Sequence, residues 1–307
     1  MLRWLLSRAA GDPRLAELAA TSPLVRPLVD RFVAGDTLED GLRAATELAA
    51  VGATLTLDHV GEYVTDEQDA DAAAGAYRDL LARSAEEQLP AGISVKPTQL
   101  GLLLDRPGCK ARVADLAARA AEADAHVTLD MEDHTVTEAT VRLVEQAHAD
   151  GATNVGCALQ SALHRTPEDV RRLTRLGAGI RLCKGAYAEP AHVAWQRRVE
   201  VDRAYLEAAR YLLREATYPR FATHDHRLVA AIKREAAVLG RARDSYEFQM
   251  LYGVRDDLQR TLVGDGYRLC VYVPYGTEWF PYVVRRLAER PANLAFFLRA
   301  LTSGDQS

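Results

Sequence analysis

Apolar, β-branched runs recur along the chain at intervals that suit strands. The first four are TLTLDHVGE at 54–62, GISVKPTQLG at 92–101, HVTLDMED at 126–133 and NVGCALQS at 154–161. GIRLCKGAY at 179–187, RFATHDH at 220–226, SYEFQMLYG at 245–253 and YRLCVYVPYG at 267–276 follow. Between them lie Ala-, Leu-, Arg- and Glu-rich stretches with apolar residues at helical spacing, such as CKARVADLAARAAEADA and DRAYLEAARYLLREA. Eight strands alternating with helices predict parallel βα units. Eight such units over about 250 residues predict an α/β fold of the (β/α)8 TIM-barrel type rather than an open doubly wound sheet. No GxGxxG follows the first strand, which counts further against a dinucleotide-binding sheet.

Polar residues fall at the C-terminal end of nearly every predicted strand: Asp58 and Glu62, Lys96, Asp130 with Glu132 and Asp133, Gln160, Arg181 with Lys184, Thr223 with His224, Glu247 with Gln249, and Tyr272. In a barrel these ends converge on one mouth, where active sites sit. Any one of them is explained as a loop residue with ordinary partners. Their recurrence on eight strands predicts an active site.

The first 45 residues precede the barrel and predict a collar of two or three short helices, leaving 46–307 for the barrel and a C-terminal helix over its mouth. The second of these helices is expected to start at Ser22 as N-cap, with Pro23 in its first position. The first 33 residues hold five arginines against three acidic residues, with Leu, Trp and Val between them. An amphipathic collar on the domain is the plain reading, and peripheral contact with a membrane surface the sharper one. The start is too briefly apolar for a signal peptide, and no stretch approaches the roughly 20 apolar residues of a membrane span.

Composition narrows the function. With 48% apolar and 26% charged residues the chain can bury a large core. A net charge of −5 argues against a nucleic-acid binder. Cys109, Cys157, Cys183 and Cys270 form no CxxC pair and no metal-spaced cluster, as expected of reduced core thiols in a cytosolic protein. His224-Asp225-His226 is the nearest approach to a metal motif, but a strand-end histidine serving a phosphate or cofactor ring is the simpler use, and no metal is expected.

The predicted mouth is rich in cations, which suit phosphate or carboxylate. Two more, Arg285 and Arg286, stand side by side in VYVPYGTEWFPYVVRRLAER at 271–290. A helix is expected here, with Thr277 as N-cap and Pro281 in the first turn. Phe280, Val284 and Leu287 then share a face, so both arginines flank an apolar stripe. A partly buried arginine costs several kcal/mol unless paired, and a pair with Glu289 on the same helix has the weaker orientation. A helix over the mouth would give both arginines a carboxylate, from Glu62 or from substrate. Tyr187, Leu251, Tyr252, Tyr272 and Tyr275 add apolar walls that suit a small ring. No Ser-His-Asp or Cys-His set is evident, and a phosphorylated cofactor such as a flavin would carry redox chemistry in such a mouth.

RLCKGAY (181–187), FATHD (221–225), YEFQMLYG (246–253) and YVPYGTEWFPYVVRRLAERPANLAF (272–296) closely resemble the proline dehydrogenase family, and TLDHVGE, SVKPTQLG and LDMED fit its earlier strands in order. The resemblance covers essentially the whole chain and is to the small monofunctional bacterial form. It implies a distorted (β/α)8 barrel with non-covalent FAD that oxidises L-proline to 1-pyrroline-5-carboxylate and passes electrons to membrane quinone. It implies that Lys96, Arg285 and Arg286 hold the proline carboxylate, that Glu62 pairs with Arg285 as a gate, and that Ala186, Tyr187, Leu251 and Tyr272 wall the ring. Asp130 would position its neighbours, and Arg181 would lie at the reactive edge of the flavin. Met131, Gln160, Lys184, Gly185, Ala186, Thr223, His224, Gln249 and Glu289 would contact or border FAD. Oxidation of a related cyclic amino acid, hydroxyproline or an N-methylated proline, is the competing enzyme reading. A silent amino-acid-binding barrel and a sugar-phosphate enzyme are the others.

Overall fold

The alternation of apolar and polar positions resolves into the two faces of one closed sheet. A computed structural model describes residues 25–288. Among the described residues the first helices are α1 (Arg26–Val29) and α2 (Leu38–Ala50). The barrel then runs β1 (Thr54–His59), α3 (Glu67–Glu86), β2 (Ala91–Val95), α4 (Arg106–Glu122), β3 (Val127–Leu129), α5 (His134–Ala149), β4 (Val155–Gln160) and α6 (Thr166–Leu176). It continues β5 (Ile180–Cys183), α7 (Arg198–Glu215), β6 (Arg220–Ala222), α8 (His226–Val238), β7 (Glu247–Leu251), α9 (Asp256–Gly264), β8 (Arg268–Tyr275) and α10 (Phe280–Ala288). The eight strands pair in sequence order, all parallel, and β8 closes on β1 with Thr56 beside Tyr272 and Asp58 beside Pro274. The predicted TIM-type barrel is the fold of this chain.

One strand face is apolar. Leu57, Ile93, Val127, Val155, Leu182, Phe221, Phe248 and Val271 are fully or almost fully buried in the main core, with the apolar stripes of the helices. Complete burial of one such side chain is worth about 1.5–3 kcal/mol. The inner face is polar and hydrogen-bonded, in contrast to the usual branched aliphatic filling of these barrels. Thr56 Oγ1 lies 2.8 Å from Ser94 Oγ, and Gln249 Nε2 donates to Glu247 Oε1 at 2.5 Å.

The helix starts explain several of the mouth carboxylates. Asp66, Asp105, Asp133 and Asp225 each accept a backbone N–H from the first turn of the helix that follows, so they act as N-caps. His224 and His226 therefore do not alternate along a strand: β6 ends at Ala222, and His226 is the first residue of α8.

Two departures from a regular barrel position the site. The helix packed on the β8–β1 seam is α2, which precedes β1. This leaves α10 for another place. Val283, Val284 and Leu287 of α10 form a second core with Val25, Val29, Phe32, Val33, Val60 and Tyr272. This core closes the C-terminal end of the barrel near β8 and the loop after β1. Gly253 lets the turn after β7 meet the same segment: its φ is +65°, and a Cβ there would lie 1.6 Å from the Arg31 carbonyl oxygen. Helix α10 starts later than the sequence predicted. Its first i to i−4 bond runs from the Val283 N–H to Trp279 O at 2.9 Å, so Thr277 is not its N-cap. The expected start at Ser22 and Pro23 lies outside the described residues, as does Glu289, and a domain boundary at residue 45 would fall inside α2.

Candidate active site

Four inward-facing charges meet at the mouth in alternating sign. Asp58 at the end of β1 is wholly buried and faces Lys96, which follows β2, with both carboxylate oxygens 3.0 Å from Nζ. Lys96 lies 3.7 Å from Asp130, which follows β3. Asp130 Oδ1 accepts from Arg181 Nη1 of β5 at 2.7 Å. The other donors of Arg181 are also engaged: Nε donates to Gln249 Oε1 at 2.5 Å and Nη2 to Ser94 Oγ at 2.8 Å. Tyr272 on β8 donates its hydroxyl to Asp130 Oδ2 at 2.7 Å, and its ring lies 5.4 Å from the Arg181 guanidinium carbon.

Burial alone would push the Lys96 ammonium toward its neutral form. Asp58, Asp130 and Glu62 outweigh that, and its pKa is raised. Removing one partner of such a set is costly, because it leaves the other charge buried without compensation.

Helix α10 supplies the second layer. Arg285 donates from Nη1 to Glu62 Oε2 at 3.0 Å and from Nη2 to Oε1, so the two planar groups meet fork to fork. The Arg285 guanidinium carbon is 5.7 Å from the Tyr187 ring centroid, and that of Arg286 is 5.1 Å from the Tyr282 ring centroid. Tyr282 in turn lies parallel to Tyr272, with ring centroids 6.4 Å apart. Arg181, Tyr272, Tyr282 and Arg286 thus form one column, two stacked rings with a cation at each end. Tyr282 did not figure in the sequence reading. It precedes Arg285 and Arg286 by three and four residues, so helical spacing alone would have placed it on their face.

The loop that carries Glu62 is held from behind. Tyr63 adopts φ +52°, a left-handed conformation that costs a non-glycine residue on the order of 1 kcal/mol. Its N–H donates to Thr98 Oγ1 at 3.2 Å and its hydroxyl to Asp133 at 3.2 Å. Thr98 passes the link to wholly buried Glu132, with its hydroxyl 2.5 Å and its N–H 3.2 Å from the carboxylate. Burial raises the Glu132 pKa to about 7, against the pull of the Thr98 bonds. The folded chain keeps this proton over a range where the unfolded chain has lost it, so stability falls as pH rises from about 4.5 to about 7. Glu132→Gln is expected to be more stable relative to wild type at pH 8 than at pH 5, by on the order of 3 kcal/mol. Urea midpoints at the two pH values test this; an unchanged difference would refute the assignment.

The remaining predicted residues gather on the β4–β7 side. Gln160 donates to Glu132 O at 2.7 Å. Gly185 has φ +114°, and a Cβ there would lie 2.8 Å from Gln160 Oε1, so the backbone itself demands glycine. Lys184 Nζ is 2.5 Å from Asp202 and 3.3 Å from Asp225, which also receives Arg198 and Arg227. His224 Nε2 accepts the Leu251 N–H at 2.9 Å, which fixes the proton of a neutral ring on Nδ1. Gln249 has its amide oxygen on Arg181 and its nitrogen on Glu247, so it orients Arg181. Thr223 and Met131 are buried beside these groups, Leu251 and Tyr187 are half-buried, and Ala186 is exposed at the rim. Among the described residues no group of three His, Cys, Asp or Glu side chains is arranged to hold a metal ion.

Comparison with known proteins bears on the family and the fold. The family model for proline dehydrogenase matches residues 41–299. Proline dehydrogenase 1 of Bacillus subtilis (strain 168) is 37% identical over 271 residues, covering 88% of this chain and 89% of that protein. The proline dehydrogenase of Deinococcus radiodurans is 37% identical over 285 residues, covering 90% and 91%. Among solved structures, proline utilization A (PutA) from Bdellovibrio bacteriovorus, inactivated by N-propargylglycine, superposes with a TM-score of 0.80 at 26% identity. That match covers 86% of this chain and 33% of the PutA chain, so this chain spans about a third of it. A match of this extent to the family model, with relatives this similar along nearly their whole length, means that the chain belongs to the proline dehydrogenase family.

Proposed function

We propose that this protein oxidises L-proline to 1-pyrroline-5-carboxylate with FAD as a non-covalent cofactor and delivers the electrons to a membrane quinone, the first step of proline breakdown toward glutamate. The observation that carries the reading is the pair of arginines on α10 placed over a mouth that already holds a buried, charged lysine. Lys96, Arg285 and Arg286 bind the proline carboxylate. Glu62 holds Arg285 and shields the site from water once substrate is in. Tyr272, Tyr187, Leu251 and Ala186 enclose the pyrrolidine ring and exclude solvent from it.

The residues fit a flavin. Gly185 and Ala186 carry little or no side chain above the β5 end, and a Cβ at Gly185 would strike Gln160. Lys184, Arg198 and Arg227 around Asp202 and Asp225 leave a net positive rim that suits a pyrophosphate. Gln160, Thr223 and His224 offer polar atoms beside it. When bound, FAD accepts the two electrons and the hydrogen that the ring carbon beside nitrogen gives up. The chain's own part is to hold the ring and the carboxylate in one orientation. Arg181 keeps a fixed positive charge where negative charge accumulates. Asp130, anchored by Arg181 and Tyr272, keeps that cation and the Tyr272 ring in register.

Among the described residues no helix is long and apolar enough to cross a membrane. We place the enzyme in the cytoplasm, meeting quinone through peripheral contact with the inner face of the membrane. The test is the visible spectrum of the purified protein, before and after L-proline without oxygen. A flavin spectrum that bleaches with L-proline, and hardly with hydroxyproline or N-methylproline, is expected. A protein that stays colourless after incubation with FAD would overturn the proposal.

A further inference from the structure

Asp58 takes no part in the substrate or cofactor binding proposed above, yet it is wholly buried at the mouth. It faces Lys96 Nζ with both oxygens at 3.0 Å. Behind it stands Tyr77 of α3, also wholly buried, whose hydroxyl lies 3.1 Å from Asp58 Oδ1. That hydroxyl also lies 3.2 Å from His59 O and 3.3 Å from Gln99 Oε1, so α3 and the β1 and β2 ends brace the carboxylate together.

We propose that Asp58 is a positioning residue for substrate recognition: it keeps the Lys96 ammonium charged and aimed into the mouth, so that Lys96 can take the substrate carboxylate. The inference rests on the proposed function through the role given there to Lys96.

An ammonium taken out of water keeps its proton only beside a counter-charge. From the β1 end, Lys96 faces Asp58, His59 and Glu62. From the β3 end it faces Asp130 and Glu132. The Tyr272 hydroxyl of β8 lies 3.5 Å away, and Arg285 of α10 opposes the charge. Among these carboxylates, Asp130 is held by Arg181 and Tyr272, Glu62 by Arg285, and Glu132 by Thr98. Asp58 alone of the four turns both oxygens on Lys96. The row Asp58, Lys96, Asp130, Arg181 carries two charges of each sign. The incoming carboxylate therefore meets a lysine whose charge Asp58 holds from one side.

The test uses the flavin-loaded enzyme and cyclopentanecarboxylate, a ring carboxylate with no amine to titrate. Its Kd is measured between pH 6 and 9 for wild type, Asp58→Asn and Lys96→Met. Wild type is expected to bind with little change over this range, and Lys96→Met to bind weakly throughout. Asp58→Asn is expected to bind within about threefold of wild type at pH 6 and at least tenfold more weakly at pH 9. The sign follows from losing the anion: the Lys96 pKa drops into this window, and affinity is lost as pH rises through it. An Asp58→Asn curve parallel to wild type would overturn the inference, because a merely structural role does not create a new titration.

If Asp58→Asn does not fold, urea midpoints decide. Lys96→Met leaves Asp58 as a lone buried carboxylate, so Lys96→Met/Asp58→Asn is expected to unfold at higher urea than Lys96→Met. Equal midpoints would refute the coupling. A wild-type enzyme that neither binds the ring carboxylate nor oxidises proline would overturn both this inference and the proposed function. Proline oxidation with a flat Asp58→Asn profile would overturn the inference alone.

Discussion

Arg286→Met is expected to raise the KM for proline about 100-fold, with kcat reduced far less and FAD still bound. The size follows from removing a charge-assisted contact to a carboxylate in a site shielded by α10, worth about 2–3 kcal/mol. Arg285 gives one hydrogen bond from each terminal nitrogen to Glu62, so its own share of the proposed clamp has little room to grow in place of Arg286. Arg286 is set against the Tyr282 ring, which is parallel to Tyr272, so its loss also removes the cation from one end of the column that includes Tyr272, the proposed wall of the substrate ring. Methionine restores the apolar bulk of the stem but not the charge, so the KM effect isolates the cation. Steady-state kinetics at fixed pH, with the flavin content of each preparation measured, checks this. Kinetics equal to wild type would remove Arg286 from the carboxylate clamp.

Arg181→Met is expected to act on both stability and redox chemistry. Arg181 is 6% exposed and donates to Asp130, Gln249 and Ser94. Its removal leaves Asp130 with Tyr272 and a more distant Lys96, and leaves the Gln249 amide oxygen without its donor. Breaking a buried charge pair of this kind costs about 3–5 kcal/mol, which urea unfolding of the cofactor-free chain measures directly. The flavin potential is expected to fall by about 30–60 mV, the two-electron equivalent of losing about 1.4–3 kcal/mol of stabilisation of the reduced form. Spectroelectrochemical titration reads that shift. A potential equal to wild type would show that Arg181 supports the barrel without tuning the cofactor. The two readouts are independent, since a purely structural loss lowers the urea midpoint and leaves the potential in place.

The barrel was legible in the sequence because its outer strand faces must be apolar to meet helices, and runs such as NVGCALQS and VYVPYG declare this locally. The eight predicted strands all appear, within a few residues at their ends. The polar residues at the strand ends were legible for the same reason: a charge closing an apolar run marks the point where the chain leaves the core. Lys96 and Asp130 were found this way; Arg181 and Tyr272 were read with them but lie inside β5 and β8, and the structure joins the four through hydrogen bonds and ion pairs centred on Asp130. The start of α10 was misread because Thr277 and Pro281 fit a local capping pattern, whereas the first helical bond is accepted by Trp279.

Other features lay beyond any local pattern. Asp58 looks in sequence like one more strand-end acid, and its weight comes from facing Lys96 across the β1–β2 boundary inside the barrel. Glu62 and Arg285 are 223 residues apart, and their pairing depends on α2 occupying the β8–β1 seam so that α10 can lie over the mouth. Gly185 reads as room for a cofactor, but its φ of +114° gives it a backbone reason as well. Residue periodicity specifies which face of each element is apolar, because that requirement acts over one or two turns. Which inward groups become partners is decided by how the sheet closes and where the last helix settles, and those depend on packing between segments far apart in the chain.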